Sequence, residues 1–185
     1  MTKAIVISRT NAKVQTLAIL TAIVAAVALP QVFHAVGTIS GLGAGLGQTF
    51  LPMYLPIIAV GFLAGPFAGA VSGALAPLVS FALSGMPTTV LLPFIMVELA
   101  VFGLSSGLLY TVKMPTILKV ISAQLSGRIA FAVAVMASIY LLGNETVGAA
   151  SILNGIKTAL PGYLLQWAIM PLLIFRIENI NKREG

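Results

Sequence analysis

What most constrains this chain is a succession of apolar stretches of about 20 residues, with almost no charge to break them. At about 1.5 Å of rise per residue, such a stretch crosses a bilayer as one helix. Of 185 residues, 59% are hydrophobic and only 8% charged, and the mean hydropathy is +1.08. A water-soluble domain is roughly one-quarter charged. This surface must instead be solvated by lipid, so the chain reads as one integral membrane domain over 1–185. The absence of cysteine excludes a disulfide framework, a thiol nucleophile and Cys-ligated zinc. One histidine and four acids argue against a hydrolytic or redox centre, so no catalytic residue or metal ligand is assigned and the chain is not read as an enzyme.

Polar and Pro/Gly punctuation divides the sequence into six spans, at 14–36, 51–66, 67–84, 88–112, 120–142 and 151–175. The second and third are short and separated only by Gly65-Pro66, which fits either a tight hairpin or a kinked, tilted pair. No segment alternates apolar and polar residues with period two, which disfavours a β-barrel. The expected fold is an all-α bundle of six transmembrane helices. Lys3, Arg9 and Lys13 precede the first span, Lys113 and Lys119 lie between the fourth and fifth, and Arg176, Lys182 and Arg183 follow the sixth. Arg128, in the first half of span five, is read as snorkelling to that same side. Only Lys157 falls near the opposite face. The positive-inside rule therefore predicts that both termini are cytoplasmic. The net charge of +6 is then topological, and nucleic acid is not an expected partner. Residues 1–28 imitate a secretory signal ending in Ala26-Val27-Ala28, but are read as the retained first span.

Four motifs are candidates for function. Ala18, Ala22 and Ala26 form a stripe of small residues that lets another backbone approach closely, either a neighbouring span or a partner protein. Gly61, Gly65, Gly69 and Gly73 repeat every four residues and, with Gly103 and Gly107, predict close helix packing. The segment Gly37 to Gln48 contains five glycines and suits a flexible connector or a lid over a ligand. It lacks the terminal Gly-Lys-Ser/Thr of a phosphate loop. Glu98 lies mid-span, about ten residues or roughly 15 Å from the nearer end. An acid at that depth faces either a structural partner such as Arg128 or a ligand. His34 is a weaker candidate. Gln48, Tyr54, Ser80, Ser84, Tyr140, Asn154 and Lys157 are polar residues toward the same half. Gln166 and Trp167 sit deeper and are read as packing or as a belt anchor.

Together these features resemble the substrate-binding membrane subunits (S-components) of energy-coupling factor transporters, which take up vitamins in prokaryotes. The resemblance is carried by six spans with both termini inside, and by the Ala18, Ala22, Ala26 stripe after a basic start. It is carried also by the block Phe50-Leu-Pro-Met-Tyr-Leu-Pro56, Gly61-Phe-Leu-Ala-Gly65-Pro66, Ser84-Gly-Met-Pro87 and Glu98-Leu-Ala-Val-Phe-Gly103. Members of one branch tend to have histidine where Tyr54 stands here. The resemblance implies a multi-pass protein of the prokaryotic cell membrane that captures a water-soluble vitamin from outside. It implies docking through the alanine stripe onto a transmembrane coupling subunit with two ATPases, followed by toppling and inward release. This chain itself would need no cofactor, since ATP is used by the partners. The expected substrate-binding residues are Glu98, His34, Gln48, Tyr54, Ser84, Asn154 and Lys157. A buried acid suits hydroxymethylpyrimidine or pyridoxine. Pantothenate, with Lys157 opposite its carboxylate, or a cobalamin-related compound are further candidates. The alternative is a small homo-oligomeric channel or a structural membrane protein.

Overall fold

The computed structural model describes residues 12–41, 49–50 and 52–184, with side chains described as far as Arg176. The described residues form six principal helices: α1 (Ala12–Ile39), α2 (Tyr54–Ala64), α3 (Pro66–Ser84), α4 (Leu92–Leu109), α5 (Thr116–Leu142) and α6 (Ala150–Glu184). No strand occurs among them. Five are long and apolar enough to cross a membrane, and α2 is not. Its 11 residues span roughly 16 Å, about half of a hydrocarbon core. Of the six expected spans, five are helices long enough to cross a membrane, and the second is a shorter apolar helix. Helix α2 is shorter than the expected span because the chain, helical at Thr49 and Phe50, turns at Pro52 and Met53 before α2 begins at Tyr54.

The junction at Gly65-Pro66 is a hairpin. In a straight helix Gly61 and Gly69 would stand roughly 12 Å apart. Here a Cβ placed on Gly69 would come within 2.9 Å of the Gly61 Cα. Gly65 makes the reversal with φ 99°, a conformation L side chains rarely adopt, and Pro66 opens α3 where no backbone N–H is needed. At the other ends, Gly85 and Gly143 close α3 and α5 in the left-handed conformation, and Pro115 stands immediately before α5.

The predicted glycine packing is found. A Cβ on Gly73 would lie 2.1 Å from the Leu99 carbonyl oxygen, and one on Gly103 would lie 2.2 Å from that of Gly69. Gly107 meets Pro66, and Gly61 meets Gly103 and Ser106, in the same way. Helices α2 and α3 thus touch α4 backbone to backbone, which only residues without side chains permit.

Helix α1 covers the other side of this hairpin. Ala22 is buried with Val60, Ala64 and Ala68, and Ala26 joins the main core of Ile57, Ile58, Phe62, Leu99, Phe102 and Met170. The face that the resemblance assigns to a partner is here occupied by the chain's own α2 and α3. Only Ala18 is partly open. Exposed Leu17 and Val24 on α1, Leu125, Ile129 and Val133 on α5, and Leu164 and Leu172 on α6 turn outward, as a lipid-facing surface requires.

Helix α6 packs on α5 and, at its edge, on α2. It makes no comparable contact with α1, so the bundle stays open between them at the end where α1 finishes and α4 and α6 begin.

Candidate functional site

That gap is a cavity of about 450 Å³. Helix α1 supplies Gln31 and His34, the entry to α2 supplies Tyr54, and α3 supplies Ser80. The α3–α4 connection contributes Met86, Pro87 and Thr88. Glu98 of α4 and Arg128 and Phe131 of α5 form the inner wall, and Ser151, Asn154, Gly155 and Thr158 line the α6 side. The volume lies in the lower part of the range for small-molecule pockets, roughly 300–1,000 Å³.

Of the residues expected from sequence, His34, Tyr54, Glu98 and Asn154 line this cavity. Ser84 and Lys157 do not. The Ser84 hydroxyl is turned back to donate to the Ser80 carbonyl at 2.8 Å. Lys157 is exposed: the cavity face of α6 follows 151, 154, 155 and 158, and at 3.6 residues per turn position 157 points about 110° away from its middle. Gln48 lies outside the described residues, as does most of the glycine-rich segment read as a lid.

At the centre is an ion pair. Arg128 Nε lies 3.1 Å from Glu98 Oε1, and the two side chains are only 13% and 3% exposed. Reading Arg128 as a snorkelling residue is therefore corrected. It stands about 18 Å beyond the start of α5, and an inward acid holds it there. Glu98, in turn, is about 9 Å past the first residue of α4, shallower than the sequence estimate because the helix begins at Leu92. Gly127 lets the helices close at this level, since a Cβ there would come within 3.1 Å of the Glu98 carbonyl oxygen.

A buried pair costs less where its remaining hydrogen-bonding capacity is met, and around this pair it is met in part. The Tyr54 hydroxyl faces the Glu98 carboxylate. Arg128 Nε donates to the Tyr163 hydroxyl. The guanidinium also lies 5.4 Å from the centre of the Phe131 ring and 5.7 Å from that of Tyr163, within cation–π range. The outcome is a chain of polar contacts, Tyr54–Glu98–Arg128–Tyr163, that ties α2, α4, α5 and α6 together. Of its members the sequence reading placed only Glu98 and Tyr54 among the site residues. The available signal for Arg128 was its opposite charge in an adjacent span.

A second polar cluster lies nearer the start of α5, away from the cavity mouth. Gln124 Nε2 donates to Gln166 Oε1 at 2.8 Å, and Trp167 Nε1 donates to Gln124 Oε1 at 2.6 Å. Gln124 and Gln166 are buried. Together with Phe102 and Met170 they fill the bundle beyond the cavity. Trp167 therefore serves packing and hydrogen bonding at the α5–α6 contact.

Among the described residues no three His, Cys, Asp or Glu side chains assemble as a metal site would require. Ser151 Oγ, in the cavity wall, is buried without a hydrogen-bond partner. The site is equipped to hold a small polar molecule by hydrogen bonds. Comparison with protein-family models, curated proteins and solved structures gave no match, so a functional reading has to stand on the fold and this cavity.

Proposed function

We propose that this chain is a substrate-capture subunit of a membrane importer, of the S-component kind that its sequence resembles. The observation that carries the reading is the vitamin-sized cavity at one end of an apolar helical bundle, with a buried ion pair in its wall and hydroxyl and amide groups around it. With the termini cytoplasmic, as the distribution of basic residues predicts, that end faces outward. The bundle beyond the cavity is filled by Leu99, Phe102, Gln124, Gln166 and Met170, which favours a one-ended binding site over a channel through the single chain. A cavity of this volume suits a one- or two-ring molecule such as hydroxymethylpyrimidine or pyridoxine and is small for an intact corrinoid.

Inward release would depend on a coupling subunit and two ATPases. Since Ala22 and Ala26 are covered, docking would begin at the partly open Ala18 or at the exposed α1 face of Leu17, Leu20 and Val24. The test is to purify the protein in mild detergent, denature it, and identify released small molecules by mass spectrometry. A water-soluble vitamin or precursor near one per chain is expected. No bound compound, together with no binding to a vitamin panel, would remove the proposal.

A further inference from the structure

We infer that the ligand of this cavity carries no net charge and turns a hydrogen-bond acceptor edge, such as a ring nitrogen or a carbonyl, to the two Nη groups of Arg128. This rests on the cavity being a ligand site, as proposed above. Arginine offers five N–H donors in a planar fork. Its single Nε–H is directed to Tyr163, and Nε also faces Glu98. Among the described residues neither Nη group has a hydrogen-bond partner, and Arg128 lines the cavity. Nη1 lies against Gly155, where a Cβ would be 3.3 Å away, so the absence of a side chain at 155 leaves that edge uncovered.

Glu98 cannot play the ligand-facing part that its depth alone suggested. It is 2% exposed and already engaged by Arg128 and Tyr54. It positions the guanidinium, and Arg128 makes the contact.

Charge balance then selects the ligand. The pair is formally neutral, and the other polar lining groups are hydroxyls and amides from Gln31, Tyr54, Ser80, Thr88, Ser151, Asn154 and Thr158, together with the imidazole of His34, which adds no formal charge when counted neutral at pH 7. A ligand carboxylate would leave one unbalanced negative charge away from water. A ligand cation would meet the guanidinium. Both are unfavourable in a low-dielectric site. A neutral acceptor satisfies the open Nη donors and adds no charge.

The experiment titrates the full-length protein in lipid nanodiscs at pH 7 with hydroxymethylpyrimidine and pyridoxine (no net charge), pantothenate (anion) and thiamine (cation), and with any compound that co-purifies. The tightest binder should be uncharged. Its affinity should fall by about 10- to 150-fold in Arg128→Lys, which keeps a cation opposite Glu98 but loses the planar fork. The double variant Arg128→Met/Glu98→Gln removes both charges, leaves no orphaned ion and should show a loss in the same range. A tightest binder that is anionic or cationic overturns the inference, as does an uncharged binder whose affinity is unchanged in both variants. In either case the capture function still stands. Binding of nothing at all removes the capture function and the inference with it.

Discussion

The α3–α4 seam and the α5–α6 contact hold their helices by opposite means. In the seam backbone meets backbone, with Gly69, Gly73 and Gly103 leaving no space for even a methyl group. Between α5 and α6 the links are side chains with polar ends, chiefly Arg128–Tyr163, Gln124–Gln166 and Gln124–Trp167. Close backbone contact has one geometry and tolerates no additions. Polar links between long side chains are satisfied or broken one at a time. The cavity forms on the second side, where helices stand far enough apart to leave a gap that side chains can line.

The largest expected effect is in the seam. Gly103→Val would set its Cβ within 2.2 Å of the Gly69 carbonyl, so the helices must separate. Overpacking ordinarily costs about 1–3 kcal/mol, occasionally more, when side chains can shift, and here only backbone could. The expected outcome is no monodisperse protein by gel filtration in detergent. Folded, stable Gly103→Val would mean the seam is looser than its geometry.

Next is the buried ion pair. Glu98→Ala strands the Arg128 charge and should lower stability by about 3–5 kcal/mol, the usual loss when one partner of a buried pair is removed. Arg128→Met/Glu98→Gln should recover most of that loss. Thermal unfolding of the two variants in the same detergent compares them, and equal destabilisation would show that the charges do not depend on one another.

The smallest effect belongs to the deeper cluster. Gln166→Leu leaves the Gln124 amide without its acceptor, worth about 1–3 kcal/mol for a buried group, while ligand affinity should change little because neither glutamine lines the cavity. Calorimetric binding beside a melting curve separates the two. A large loss of affinity would join this cluster to the site.

Much of the seam was legible in sequence. Glycine at every fourth position has one economical use inside a membrane, and the structure puts Gly61, Gly69 and Gly73 to it. The hairpin at Gly65-Pro66 was one of two readings, and the backbone reversal decides between them. The length of α2 was not legible, because apolar composition around Pro52 does not reveal that the chain turns there between two helical pieces. Glu98 stood out as a mid-span acid. Pairing with Arg128 was one of two readings of it, and the choice depends on how α4 and α5 are phased against each other, which no single helix records, so Arg128 also read as a snorkelling cation and Lys157 as a ligand contact. Ser84 failed similarly: a hydroxyl that bonds to the preceding turn is absent from the cavity although its helix reaches it.

Gly155 carries one more consequence. The edge of Arg128 is uncovered by a missing side chain on α6, the helix least closely packed against the rest of the bundle. Its companions Ser151, Asn154 and Thr158 sit on the same short stretch, remote from the glycines that fix the fold. Descendants of this chain can therefore diverge in what they recognise through exchanges along two turns of one helix, while inheriting the rest of the architecture untouched.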